Sequence, residues 1–378
     1  MTARLLHRSL LRLAFSAAHV FAWVMIFEYL ALESGSALVG LVNVSLVYAL
    51  AHAIVVLLTP LAARNLRNGL RRSLVCGTLA AAAAFAALSL GFAVGLSFHI
   101  AIAVFAILMG IYRAMYYVSY EITPASRPVW IEILLALAPL VVGILIGAAY
   151  VAPSSLFLAA AAISLLSLAS FAWTPESHEG FAWRYRETFH QLFAREHRSI
   201  LLASFASGIE AAALLLIWPI AVLMILGGSF ALLGIVLSLT LLCTLLLRGI
   251  FKVASIRTTP AVSSAVIASA WVLRVFAANG FAVVLIDAYM GGTTPHEGRG
   301  LDTHTYEQVA DNHTYIDEMT ALKEMGNALG RTFLVLVIAI CASSGDFGAS
   351  ILLAFLIAAI AGVTATWLIE RQDRRALV

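Results

Sequence analysis

The sequence predicts an all-α integral membrane protein with twelve transmembrane helices in two pseudo-symmetric six-helix bundles. Three observations carry this expectation. The chain is 62% hydrophobic and 11% charged, with a mean hydropathy of +0.98, so a soluble domain would have an apolar surface. Apolar runs recur along its whole length, many close to the roughly 20 residues a helix needs to cross the hydrocarbon core. Basic residues gather in every second connection between those runs, the pattern that sets orientation in a membrane.

In order, the apolar runs place helices at 13–32, 38–63, 73–94, 98–120, 128–151 and 155–173, then at 199–226, 229–247, 260–277, 280–306, 318–342 and 349–370. The first run follows a basic start, as a signal peptide does. Its length and the internal Glu28 favour an uncleaved membrane helix. The connections after odd-numbered helices hold no Lys or Arg. Those after even-numbered ones hold the basic stretch 64–72, Arg127, the 174–198 loop, 248–257 and the run 370–375. This asymmetry predicts an inner-membrane protein with both termini cytoplasmic, and it makes the tenth helix a true crossing.

The longest connection divides the chain into an N-terminal bundle at 1–175, a linker at 176–198 and a C-terminal bundle at 199–378. In the linker, Phe181, Trp183, Tyr185, Phe189, Leu192 and Phe193 alternate with Arg184, Arg186, Arg195 and Arg198. An amphipathic helix on the cytoplasmic leaflet and an irregular solvated linker both fit this pattern. The net charge of +3 flanks the apolar runs as orientation signals do, so nucleic-acid binding is not expected. Cys76, Cys243 and Cys341 show neither disulfide nor metal spacing.

Two such halves joined by a basic loop resemble the major facilitator superfamily of secondary transporters. The connection between helices 2 and 3 carries the more specific likeness: Arg67, Gly69, Arg71 and Arg72 match that superfamily's cytoplasmic gate motif. Ala62 stands at its first Gly position and Leu66 at its Asp position. In helix 5, Pro139 and Gly143 match part of the Gly-Pro and paired-Gly pattern of proton-coupled exporters, with Ala138 and Val142 in place of Gly. The resemblance implies a monomeric carrier without a cofactor, working by alternating access. Helices 1, 4, 7 and 10 would line its central cavity, and export is slightly favoured over import.

Polar residues within the apolar runs concentrate on those four helices. Helix 1 has His19 and Glu28, helix 4 has Arg113, Tyr116, Tyr117, Tyr120 and Glu121, helix 7 has Glu210, and helix 10 has Asp287 with the charged run that follows it. Charge at membrane depth is costly and marks functional sites. Arg113, Tyr116, Tyr117 and Tyr120 follow i, i+3, i+4, i+7 spacing on one helix face. One guanidinium beside three phenols suits an anionic or aromatic substrate. Glu28, Glu210 and Asp287 are proton-coupling candidates, because burial raises a carboxylate's pKa toward neutrality. Glu132, Arg274 and Arg331 are charged residues outside the four helices, and pairing with such arginines is the competing explanation for the carboxylates.

Gly291, Gly292, Pro295, Gly298 and Gly300 predict a kink or break in helix 10. His296 and Arg299 beyond it are candidate substrate contacts. The HEGRG run lacks the second His of a zinc-protease helix, and His296 and His304 lie too far apart for one ion, so no metal is expected. No nucleophile–base pair or phosphate-cradling loop is legible. The sequence therefore reads as a proton-coupled secondary transporter of a small solute, with lipid, solute and protons as its partners. An integral-membrane enzyme using His296, Glu297 and Asp302, or a transport-inactive sensor of the same fold, are the alternatives.

Overall fold

The computed structural model describes residues 3–94, 97–118, 129–173, 181–254, 259–293 and 316–376, and these are helical apart from short turns. The first six long helices are α1 (Ala3–Ser34), α2 (Ala37–Asn65), α3 (Leu70–Val94), α4 (Phe98–Val118), α5 (Val129–Gly147) and α6 (Pro153–Leu168). A short linker helix α7 (Tyr185–Leu192) follows. Then come α8 (Arg198–Ala212), a π-helical turn (Ala213–Ile217), α9 (Trp218–Ile225), α10 (Phe230–Val253), α11 (Pro260–Val275), α12 (Gly280–Thr293), α13 (Ile316–Ser344) and α14 (Phe347–Ala376). The π turn joins α8 and α9 into one rod.

Among the described residues ten helical segments are long and apolar enough to cross a membrane; Ala261–Val275 and Gly280–Thr293 are apolar but shorter. At 1.5 Å per residue the latter spans about 21 Å, short of a hydrocarbon core of about 30 Å. Residues 294–315, which the sequence assigns to the rest of helix 10, lie outside the described residues.

Most helix limits fall close to the sequence-based ones, with one instructive exception. α1 begins at Ala3 instead of near 13, because its early polar residues find partners. His7 Nδ1 lies 3.1 Å from the Ser167 carbonyl oxygen, and Arg12 makes a two-pronged pair with Glu132 at 2.9 and 3.1 Å. Pro295, Gly298 and Gly300, on which the expected kink or break of helix 10 also rests, lie outside the described residues, and α12 runs as regular helix through Gly291 and Gly292. Those glycines instead allow close approach to α10: a Cβ on Gly292 would meet Leu247, and Arg248 donates to the Gly291 carbonyl at 2.9 Å. The irregularity lies in the seventh membrane rod, where the π turn precedes Pro219.

Helix pairings in the first six long helices recur in the rest. α3 packs on α6 and α4, α2 on α4, and α1 on α5 and α6. Correspondingly, α11 packs on α14 and α12, α10 on α12, and α8 on α13 and α14. The two large contacts between these groups, α2 with α13 and α5 with α10, exchange under the same correspondence. α1 and the α8–α9 rod are the most enclosed, with 72% and 83% of their apolar windows buried against 33% for α5. Leu57, Leu158, Leu246, Ile250, Ile340 and Ile360 point outward, as a lipid-facing surface requires.

The α5–α10 crossing shows how sequence sets such a contact. Pro139 supplies no N–H, so the Leu135 carbonyl loses its helical donor; the Ser16 hydroxyl of α1 donates to it at 2.7 Å. The Leu140 N–H is turned out of the helix and donates to Ser238 Oγ of α10 at 2.8 Å. One turn on, a Cβ at Gly143 would stand 2.7 Å from the Gly234 Cα, so only glycine lets the two backbones touch.

Candidate functional site

A cavity lies where α1, α2, α4 and α13 converge. It is lined by His19 and Trp23 from α1, Tyr48 and His52 from α2, Met109, Gly110, Tyr112, Arg113 and Tyr117 from α4, and Arg331 from α13. All the polar and aromatic side chains in this set are buried. The rings form a continuous wall: Trp23 meets Tyr48 at 4.9 Å between centroids, Tyr48 meets His52 at 4.4 Å, and Tyr112 meets Tyr117 at 6.0 Å. The buried Trp23 indole N–H has no hydrogen-bond partner among the described residues. The space itself is small, ≈ 30 Å³, enough for water but not for a sugar.

Arg113 sits about a turn and a half from the end of α4. Its guanidinium lies 5.0 Å from the Tyr117 ring centroid and 3.4 Å from Glu324 Oε2 of α13. Both side chains are almost fully enclosed, at 6% and 1% exposure. This ion pair ties the first group of helices to the second. Two lower contacts reinforce it. Arg67, in the turn between α2 and α3, donates to the Phe181 carbonyl, and the Ala182 N–H donates to Glu318 Oε1 of α13 at 2.7 Å. The linker is thus held from both sides. α7 covers the α2–α13 seam with Leu192 against Leu322 and Met325, while the Tyr185 hydroxyl donates to the Leu57 carbonyl.

Farther along α1, the helix packs against the π turn and α9, with Phe21 facing Phe230 and Phe27 facing Phe347.

The sequence-derived residues divide. Arg113 and Tyr117 line the cavity, whereas Tyr116 turns toward α1 and α3, 5.9 Å from the His7 ring and against Gly77. Tyr112, one turn before Tyr116, takes the cavity position instead. Tyr120, His296 and Arg299 lie outside the described residues. In the gate motif, Gly69 adopts φ 115°, which closes the turn, Arg67 reaches the linker, and Arg72 is exposed. Leu66, at the motif's acidic position, is fully buried, so packing replaces a charge relay.

The three coupling candidates lie outside the cavity lining. Glu28 is half-buried toward the far end of α1. Glu210 is buried against α14: a Cβ on Gly362 would touch its carboxylate at 2.9 Å, and its Oε1 lacks a hydrogen-bond partner among the described residues. Asp287 accepts from Arg274 at 2.7 and 3.2 Å and from Trp218 Nε1 at 2.8 Å, while the guanidinium lies over Trp271 and Trp218 at 4.2 and 5.2 Å. Of the helices 1, 4, 7 and 10 expected around a central cavity, the first two contribute; α2 and α13 supply the rest of this one. Sequence reading missed Tyr48, His52 and Glu324. Glu324 lies in a mixed-charge stretch that looks like a solvated connection, and only its position inside α13 shows it to be buried.

No protein-family model matches the chain, and no curated protein sequence matches it. Solved structures do. The Escherichia coli fucose:proton symporter superposes with a TM-score of 0.56 at 15% identity, covering 97% of this chain and 98% of its own. A D-xylose–proton symporter gives 0.62 at 15% identity, covering 97% and 95%. A POT family transporter in complex with 5-aminolevulinic acid gives 0.60 at 12% identity, covering 95% and 94%. At these identities the likeness is one of fold: the chain takes the major facilitator fold.

Proposed function

We propose that this chain is a proton-coupled secondary transporter of a small solute, alternating access between a half at 1–175 and a half at 199–378 around the Arg113 cavity. The observation that carries the reading is a buried, aromatic-walled cavity containing guanidiniums, at the seam between helices of the two halves. Pairing of α2 with α13 and of α5 with α10 supplies the kind of seam along which two bodies can rock. The repeated helix pairings support two related halves. The neighbours that are proton symporters for fucose and xylose support coupling to protons.

Solute would contact Arg113 and Tyr117, with Trp23, Tyr48 and Tyr112 as flat walls. The coupling carboxylate belongs to the set of Glu28, Glu210, Asp287 and Glu324, of which Glu210 and Glu324 are buried. The basic connections support cytoplasmic termini and an inner-membrane location. Pro139 and Gly143 support export, matching two positions of the exporter pattern.

The test is a solute screen in proteoliposomes under an imposed pH gradient. Sugars, amino acids and carboxylates are offered to the wild type and to Arg113→Ala. The expected result is gradient-driven movement of at least one solute, lost in Arg113→Ala. Movement that is independent of the gradient, or retained in the variant, rejects the reading.

A further inference from the structure

α2 and α13 pack along each other at the seam, and the linker crosses it where α2 ends and α13 begins. The crossing is made by a single amide. Arg67, in the turn that follows α2, donates to the Phe181 carbonyl. The N–H of that same peptide group, carried by Ala182, donates to Glu318 Oε1 of α13 at 2.7 Å. The carbonyl oxygen and N–H of one trans peptide lie in a fixed plane and point in opposite directions. A cation on the oxygen and a carboxylate on the N–H polarise the amide in the same sense, so each bond strengthens the other. Phe181 and Glu318 are both buried, which makes their polar atoms costly to strand. α7 lies over the crossing. Leu192 is buried with Leu322 and Met325 of α13, Val56 of α2 packs on the same cluster, and the Tyr185 hydroxyl donates to the Leu57 carbonyl at 3.2 Å. Glu324, whose pair with Arg113 also crosses the seam, lies about 9 Å farther along α13.

Resting on the reading of two halves that rock, we propose that the Phe181–Ala182 peptide group is the catch that holds this end of the seam shut. A planar amide does not stretch. When the start of α13 moves away from the turn after α2, the amide can follow Arg67 or Glu318 but not both. Opening therefore breaks one of the two bonds, and closing remakes the pair. The remaining contacts of α7 resist this less. Its bond from Tyr185 to Leu57 lies at the surface, where water replaces it at little cost, and its apolar cluster is built mostly on α13 and travels with that helix. The catch also gives the gate motif an acceptor that its side chains do not supply: Leu66 stands at the acidic position, and a backbone carbonyl of the linker receives the Arg67 guanidinium.

The experiment measures the width of the seam in the full chain. Cys76, Cys243 and Cys341 are replaced by Ser, and spin labels are placed at the exposed positions Arg72, in the first half, and Leu202, in the second. Double electron–electron resonance in lipid nanodiscs then gives the fractions of narrow and wide seams. Arg67→Ala and Glu318→Ala are each expected to enlarge the wide fraction. The double variant should enlarge it no more than the stronger single one, because either substitution alone frees the amide from one half. Arg67→Lys, which keeps a cationic donor, should stay closer to the parent than Arg67→Ala, and Tyr185→Phe should leave the wide fraction unchanged. Effects that multiply in the double variant overturn the shared catch, since they would come from two independent contacts. An unchanged wide fraction in either alanine variant overturns it as well. These distances are read whether or not a solute moves. If the seam widens as expected while no solute crosses proteoliposomes, the catch stands and the transport reading falls; if solute crosses and the seam does not widen, the catch falls and the transport reading stands.

Discussion

Two buried arginine–carboxylate pairs in this protein use the same chemistry to opposite ends. Arg274–Asp287 joins α11 to α12, with the guanidinium over two indoles and the carboxylate also accepting from Trp218. Among the described residues the printed partners of that cluster, Phe355 against both indoles included, all lie within 199–378, so the proposed rocking of the two halves would leave it intact. Arg113–Glu324 instead joins α4 to α13 across the seam, at a longer 3.4 Å and beside a cavity. The first pair is built to stay. The second lies across the seam, where the proposed motion and solute would both act on it. Charge inside a membrane therefore does not identify a coupling site by itself; what the pair connects does.

The largest expected effect separates the two pairs on stability. Asp287→Asn leaves a guanidinium walled in by Trp218 and Trp271, and should cost about 3–5 kcal/mol. Thermal unfolding in detergent measures this, and any protein that remains folded should keep its pH profile. Glu324→Gln leaves Arg113 beside a cavity that admits water, so its cost should be about 1 kcal/mol. Its phenotype should appear in pH dependence. Equal destabilisation by the two substitutions would erase the distinction.

At the α5–α10 crossing, Gly143→Val forces side-chain atoms into Gly234 and should cost about 1–3 kcal/mol. Because this contact lies between the halves, flux should fall further than stability does. Ser238→Ala removes the acceptor for the Leu140 N–H and should cost about 1 kcal/mol in the same thermal assay. The smallest change concerns the linker. Glu318→Ala removes the acceptor for the Ala182 N–H and should leave the unfolding temperature within error while hastening tryptic cleavage at Arg184. Cleavage at the wild-type rate would mean that Arg67 and α7 hold the linker unaided.

Much of this was legible in the sequence, for identifiable reasons. Apolar length reports membrane helices directly, so the rods at Ala37–Asn65 and Phe347–Ala376 fall close to expectation. Arg113 and Tyr117 were legible because helical spacing places i and i+4 on one face. The same spacing placed Tyr116 with them, since periodicity gives a face but not its edge, and Tyr112 lies on the cavity side of that edge. Gly291 and Gly292 sit in regular helix, where tertiary contact with Leu247 and Arg248 outweighs glycine's low propensity, while the other residues of the expected kink, Pro295, Gly298 and Gly300, lie outside the described residues. Glu324 was hidden because a charged residue near a helix end looks solvated. Only the packing of α13 against α2, α4 and α8 puts it in the interior.

The central claim is that gradient-driven solute movement passes through the seam that Arg113 helps to close. Its most direct test is the proton flux that accompanies solute addition to proteoliposomes loaded with a pH-sensitive dye, comparing wild type with Arg113→Ala. The account predicts solute-dependent proton movement in the wild type and none in the variant, with both reconstituted to the same density and unfolding cooperatively. Equal proton movement in the two, or solute movement without protons in the wild type, would contradict it.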